Sequence, residues 1–292
     1  MSHKDAKKAL HIFGDEPATI KGKTTRIKQS KIKCIHRVKL PYDILKRHNK
    51  VHIMVNYMFV QGVQFSTTIL YELKFRTAEA LRYAHKKGAK KEDILTGLQK
   101  VINLYQSRGL IVEQVHGDNE FECVKEDIRP ILMNISAADE HVSMVERSIR
   151  TIKDRTRSQI QHLLYSRFPK AMIIGYVIFA VKSLNSEIGI CRLFSNYSPH
   201  TLVTGQPARP YNQIVSMTYG EYAEVYAANP ITNDNNERTI SAIALYPSGN
   251  HQDGWIFMSL NTGRLLHRHQ WKKLHVDQNI IDKVNNLGAK EK

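Results

Sequence analysis

Two carboxylates in this chain fall where carboxylates can do chemistry. Asp118 lies in the turn "HGDNE", directly after the short apolar run "LIVEQV" at 110–115. Open α/β sheets present their ligand groups at the carboxyl ends of strands, so the position suits a functional acid. A Gly-Asp-Asn turn closed by an Asx hydrogen bond explains the same residues without any function. Glu146 falls near the head of a helical stretch, and Ser143-x-x-Glu146 fits a capping box with the helix starting at Ser143. At about 100° per residue, Glu146 lies at the rim of the apolar stripe, with Arg150, Lys153 and Arg157 almost directly below it. A carboxylate at the head of a basic stripe is what metal-dependent phosphodiester chemistry asks for. The acid holds a divalent cation while the basic residues track a nucleic acid backbone. A merely solvated basic face would not require the acid.

A third position raises a question of its own. The stretch "MVNYMFVQG" (54–62) is strand-like, rich in the β-branched and aromatic residues that fill sheet interiors, yet it carries Asn56. Buried without partners, an amide there costs about 1–3 kcal/mol. It is either a strand-end amide satisfied by its neighbours or the altered remnant of a charged residue.

The composition narrows the partner. Lysine and arginine number 43 against 27 acids, a formal charge of +16 over 292 residues. Such an excess points to a polyanion, most simply nucleic acid, bound by phosphate neutralisation and counterion release. Cys34, Cys123 and Cys191 are widely spaced and odd in number, with no CxxC pair, which fits an intracellular reducing compartment, nuclear or cytoplasmic. Cys34 and His36 have no second pair at zinc-finger spacing, so no structural zinc is expected. No N-terminal apolar segment of signal-peptide type is present, and "AMIIGYVIFAVKSL" (171–184), broken by Lys182, is too short to cross a bilayer. It reads as a buried helix, and no membrane partner is expected.

Periodicity outlines the secondary structure around these residues. Residues 1–49 carry 13 Lys/Arg against 4 Asp/Glu and read as a basic, largely extended arm. Two strands, 51–60 and 63–71, are joined by Gln61-Gly62, a tight hairpin signal. A helix over 90–107 is set by Ile94, Leu98, Val101, Ile102 and Tyr105 and closed by Gly109. Strand 110–115, a weak helix near 124–131 and a short strand near 131–135 come next. A long helix over about 140–166 is striped by Val142, Val145, Ile149, Ile152, Thr156 and Leu163, and a more apolar one covers 169–187. This order predicts an α/β layered domain, with strands 51–60, 63–71 and 110–115 in one mixed sheet. After the Pro-rich linker at 198–217, short strands broken by Gly, Asn and Pro turns predict a small β-barrel-like module at 218–276, with a tail to 292.

The ordered set of motifs resembles a known family. "HGDNEFE" is similar to the segment around the second catalytic acid of retroviral-type integrases, and "DEHVSMVERSIRTIKDRTR" to the segment carrying their third. "SPHTLVTGQP" and "SAIALYPSGN…FMSLNTGRLLHRHQW" resemble stretches downstream of the core in copia-type LTR retrotransposon polyproteins, and "VKLPYDILKRHNKVHIMVNYMFVQGVQF" resembles the entry to that core. Together these cover roughly residues 38–285. The resemblance implies a ribonuclease-H-like mixed sheet with flanking helices over 50–197, then a small all-β, SH3-like module from 218. It also implies three acids holding two Mg²⁺ or Mn²⁺ ions for attack on DNA phosphodiesters.

Carried over residue by residue, the second acid is Asp118 and the third Glu146, with Asp139 and Glu140 as weaker competitors for the third role. The separation, 146 − 118 = 28, is shorter than is usual in integrases. The first acid falls on Asn56, which would take the place of a metal-bridging aspartate. An amide there would leave the metal weakly held, because it cannot bridge two hard cations. Arg147, Arg150, Lys153 and Arg157 become the expected DNA contacts. The family's amino-terminal His/Cys zinc module is absent, so the chain reads as an excised or decayed piece of a polyprotein. The implied role is DNA integration, catalytically impaired, with element ends and target DNA as partners and a homo-oligomer as the working form. The alternatives are a non-catalytic nucleic-acid-binding module retained from a transposable element, or a chromatin-associated protein recognised through its β module.

Overall fold

The computed structural model describes residues 2–23, 34, 36–81, 90–136, 143–191, 196–208, 216–227, 236–250 and 252–291. In chain order its elements are α1 (His3–Phe13), α2 (Pro17–Lys23), α3 (Tyr42–Arg47), β1 (Lys50–Val60), β2 (Val63–Leu70), β3 (Arg76–Ala80), α4 (Lys91–Gln106) and β4 (Ile111–Gly117). A 3-10 helix (Asn119–Val124) leads to β5 (Leu132–Ile135), α5 (Ser143–Gln161), α6 (Lys170–Ser186) and α7 (Pro199–Thr204). The remaining elements are β6 (Tyr222–Tyr226), β7 (Thr239–Pro247), β8 (Trp255–Ser259), β9 (Leu265–Arg268), β10 (Trp271–Lys273) and α8 (Gln278–Lys290). They group into two units. One comprises Ile35–His162 with Val177–Arg209, the other Met1–Cys34, Leu163–Tyr176 and Pro210–Lys292.

The first unit is a mixed α/β layer. Its five-stranded sheet has the order β3-β2-β1-β4-β5, antiparallel from β3 to β1 and parallel across β1, β4 and β5. The β1–β2 hairpin turns at Gln61-Gly62, both at positive φ (46° and 79°), as a two-residue turn matched to strand twist requires. Strands 51–60, 63–71 and 110–115 share this sheet as their patterns predicted. Val51, Ile53 and Val55 of β1 join Val112 and Val115 of β4 and the α4 stripe Ile94, Leu98, Val101, Ile102 and Tyr105 in one core. On the other face Met58, Phe65 and Ile69 are buried outside that core, and α5 packs across β1 and β2.

Several expectations need correction. The arm read as largely extended contains α1, α2 and α3. The first of these starts in a capping box in which the Ser2 hydroxyl accepts from the Asp5 N–H while the Asp5 carboxylate takes the Ser2 N–H. Charge density masked a local helix signal there. The weak helix near 124–131 is instead the 3-10 turn Asn119–Val124 followed by further turns. Strand β3, "RTAEA", went unpredicted because every residue in it is half-buried, so no alternation is visible. The linker holds α7, and the tail is α8, whose Asp277 side chain caps the Ile280 N–H at 2.8 Å. Val142, Asp139 and Glu140 lie outside the described residues.

The second unit holds an all-antiparallel sheet of order β10-β6-β7-β8-β9. Its two edge strands are consecutive in sequence: β9 ends at Arg268 and β10 begins at Trp271. That connection reaches at most about 11 Å, whereas the outer strands of a flat five-stranded sheet stand about 19 Å apart. The sheet must therefore curl. Inside it Glu224 is wholly buried, and its carboxylate accepts hydroxyl hydrogen bonds from Tyr222 (2.7 Å), Ser241 (2.6 Å) and Thr239 (2.6 Å).

In the first unit, Asn185 of α6 clamps the first residue of β3. Its Oδ1 accepts the Arg76 N–H at 2.9 Å and its Nδ2 donates to the Arg76 carbonyl at 2.7 Å. Alanine at 185, a position only 3% exposed, leaves both backbone groups unsatisfied. Urea unfolding should register a loss of about 2–3 kcal/mol for Asn185→Ala. A change below about 0.5 kcal/mol, the range of ordinary surface substitutions, would show the clamp to be dispensable.

Candidate active-site face

Strands β1 and β4 bring two of the three predicted site residues side by side. The parallel register pairs Met54 with His116, so Asn56 and Asp118 each lie two residues beyond that last pair. Side chains keep the two strands in contact one residue past that pair. A Cβ built on Gly117 would lie 2.9 Å from Val55 Cγ1 and 3.3 Å from the Phe121 ring. Only a residue without a side chain allows this approach. Tyr57 stacks on Phe121, centroids 4.5 Å apart and planes at 22°, which closes the same junction one step further on. Burial there raises the Tyr57 hydroxyl pKa well above its ordinary value.

Side-chain alternation settles which face the polar residues take. Val55 and Tyr57 point to the α4 core, so Asn56 points to the opposite face. Asp118 is extended (φ −81°, ψ 169°) and comes directly after Gly117, so it alternates to that same face. Helix α5 also lies there. Arg76, paired with Ile69 in the β2–β3 register, donates its Nε to the buried Ser148 hydroxyl of α5 at 3.1 Å. Glu146 sits two residues before Ser148, in the first turn of that helix and half-buried. The three positions thus share one face of one sheet, two on adjacent strands and one on the helix above.

Asn56 is satisfied locally. Its Oδ1 accepts the N–H of Tyr57 at 2.6 Å, and its backbone carbonyl takes the Thr67 hydroxyl at 2.8 Å. Tyr57 lies beyond the last β1–β4 pair, so the amide oxygen supplies an acceptor where the ladder ends. A carboxylate could make the same bond with one oxygen and keep the other free.

Further along the same face, His52 and His116 meet edge-on with centroids 5.7 Å apart. Glu72 and Glu113 flank His52 at 3.9 and 3.6 Å, and Asn134 of β5 meets His116 Nδ1 at 3.3 Å. Burial, then the neighbouring His52, lowers the His116 pKa and favours the neutral ring. Burial raises the Glu72 pKa, a shift that the His52 N–H and its ring partly oppose.

Of the basic stripe, Arg147 and Arg150 are exposed and Lys153 is half-buried. Arg157 is exposed and ion-paired with Asp154 at 3.0 Å. Arg155, absent from the expected set, bonds Glu187 and helps fasten α5. Among the described residues no group of three or more His, Cys, Asp or Glu side chains is gathered to hold a metal ion. No helix of the described residues is long and apolar enough to cross a membrane. Gly117, Arg76, Ser148 and Asn185 were missed from sequence. Gly117 had read as part of a turn, and Ser148 is a polar residue in a buried helical position made tenable by Arg76.

No family model matches the chain, and no curated protein matches it. Among solved structures it is similar to the catalytic core domain of BIV integrase, with a TM-score of 0.38 and 14% identity over 52% of this chain and 92% of that one.

The close approach at Gly117 yields a test. Gly117→Ala forces Val55 or the Phe121 ring aside, an overpacking cost of about 1–3 kcal/mol, and displaces Asp118 from Asn56. Thermal unfolding should show a clear drop. A melting temperature within about 1 °C of wild type, under the roughly 2–4 °C that 1 kcal/mol makes in a domain of this size, would mean the strands separate without strain.

Proposed function

We propose that the chain is an integrase-like DNA-binding core of copia-type retrotransposon origin, followed by an SH3-like β module, and impaired in phosphodiester transfer because Asn56 stands for the first acid. The observation that carries this reading is the side-by-side position of Asn56 and Asp118 at the ends of two parallel strands, under the helix that bears Glu146. The motif resemblance assigns acids to these same positions, and strand register makes neighbours of the first two. Mg²⁺ or Mn²⁺, where bound, would stabilise the attacking and leaving oxygens of an in-line displacement. This chain's part is to hold Asp118 and Glu146 on one face and to supply phosphate contacts through Arg147, Arg150, Lys153 and Arg157. The working partner is DNA, element ends and target alike, and the working form a homo-oligomer.

A second reading, a nucleic-acid-binding module without catalysis, draws on the Asn56 Oδ1 bond to Tyr57, which gives the amide a purely structural use. Divalent titration separates the two. Wild type should bind Mn²⁺ weakly and nick supercoiled plasmid little or not at all, since losing about 4 kcal/mol of transition-state stabilisation costs roughly a thousandfold in rate. Asn56→Asp should tighten Mn²⁺ binding severalfold, read by calorimetry, and raise nicking above background. Identical metal binding by both proteins would mean position 56 never faced a metal, and the structural reading would stand.

DNA binding has its own signature. Each phosphate neutralised contributes about −0.9 to the slope of log affinity against log salt. Reversing Arg147, Arg150 and Lys153 to Glu should flatten that slope by about two to three. An unchanged slope would show the α5 stripe to be a solvated face.

A further inference from the structure

The second unit carries a pair of histidines that the proposed function does not use. His267 on β9 and His269 just after it stand two residues apart, the spacing that puts strand side chains on one face. Both are exposed, and their rings lie 5.0 Å apart, tilted at 57°. They converge on one residue. A Cβ built on Gly254 would lie 2.5 Å from His267 Nε2 and 2.9 Å from His269 Nδ1. Two ring nitrogens aimed at so small a region need only modest ring rotation to share an ion on the solvent side, at the ~2.0–2.1 Å of a zinc–imidazole bond.

The surroundings fix the right tautomer. Asn250 Oδ1 accepts the Gly254 N–H at 3.0 Å and the Ser248 hydroxyl at 2.9 Å. That leaves its Nδ2, a donor, 3.3 Å from His267 Nε2. The imidazole nitrogen facing a donor is the acceptor, so Nε2 carries the lone pair and the proton sits on Nδ1, and a bound cation would take that lone pair over from Asn250. Arg268 is turned to backbone, its Nε donating to the Tyr226 carbonyl and a terminal nitrogen to the His267 carbonyl, each at 2.9 Å.

We propose that His267 and His269 form a two-imidazole chelate for a borderline divalent cation of the Zn²⁺, Ni²⁺ or Cu²⁺ class, with solvent completing the coordination. Imidazole prefers these ions to the hard Mg²⁺, so the site is chemically distinct from Asp118 and Glu146 and independent of the reading given for them. Gly254 is the permissive residue, since any side chain there would stand between the nitrogens.

The test uses the full chain and NiCl₂ or ZnCl₂ alone. Isothermal titration is run on wild type, His267→Ala, His269→Ala and the double variant, with MgCl₂ as the contrasting ion. Both side chains are exposed, so the variants should fold, which circular dichroism without metal verifies. Wild type should bind one Ni²⁺ or Zn²⁺ equivalent at least tenfold more tightly than either single variant, and the double variant should lose that equivalent. Mg²⁺ binding should be the same in all four. Gly254→Ala should weaken Ni²⁺ binding with both histidines present. Equal Ni²⁺ and Zn²⁺ binding by wild type and the double variant, or no equivalent in wild type above the double variant's background, would overturn the proposal.

Discussion

The approach of β4 to β1 at Gly117 is the constraint on which the candidate site depends. Parallel strands have no tight turn to set their register, so side-chain packing must do it. Here the register is pinned where a glycine meets Val55 and where Tyr57 lies flat on Phe121. These contacts face the α4 core. The neighbouring polar residues, Asn56 and Asp118, are carried to the other face by the two-residue period of the strand. An apolar junction on one side of the sheet therefore fixes a polar pair on the other. A slip of one residue would turn the polar pair into the α4 core and its apolar neighbours out of it, which is why register is strongly specified here.

The helix above this face is fastened by different means. Val145 and Ile152 supply its apolar contact, but Ser148 and Thr156 are buried with them. The partner of Ser148 is Arg76, whose own backbone is gripped by Asn185. Burial lowers the Arg76 pKa, opposed by nearby Glu187. The guanidinium stays charged all the same, because even a lowered arginine titrates far above neutrality. Glu187 in turn bonds Arg155 on the same helix. Hydrogen bonds and ion pairs at the sheet edge thus orient α5 where apolar packing alone would leave it free to slide. Removing one partner of such a bond costs more than the bond contributes, because the other is left buried and unpaired.

How much of this was legible depends on how local the signal is. The strands of β1, β2 and β4 and the helices α4, α5 and α6 announced themselves by period, since each buries a regular face. Strand β3 did not, because edge position and half-burial erase alternation. Helix α1 was hidden by its charge, although Ser2 and Asp5 carried a capping signal. Asp118 and Glu146 were readable as acids in suggestive places. Their relation to Asn56 was not, since strand order and register are properties of pairing across long sequence separations. Gly117 and Ser148 were unreadable for the same reason: each makes sense only beside Val55 or Arg76. The curl of the second sheet was legible only as texture, short strands and turns, until β9 and β10 proved to be its two edges.

Asn56 shows how a structural and a functional account can share one atom. At the end of the β1–β4 ladder the Tyr57 N–H needs an acceptor, and any short side chain with an oxygen at position 56 can supply it. Asparagine and aspartate are nearly the same shape, so replacing one by the other leaves this bond and the strand intact. Only the second oxygen and the charge differ. Those two properties matter little to folding at a half-buried position, and they are the ones a hard divalent cation would select for. The fold around the face draws only on the oxygen that the two residues share, so it does not distinguish between them.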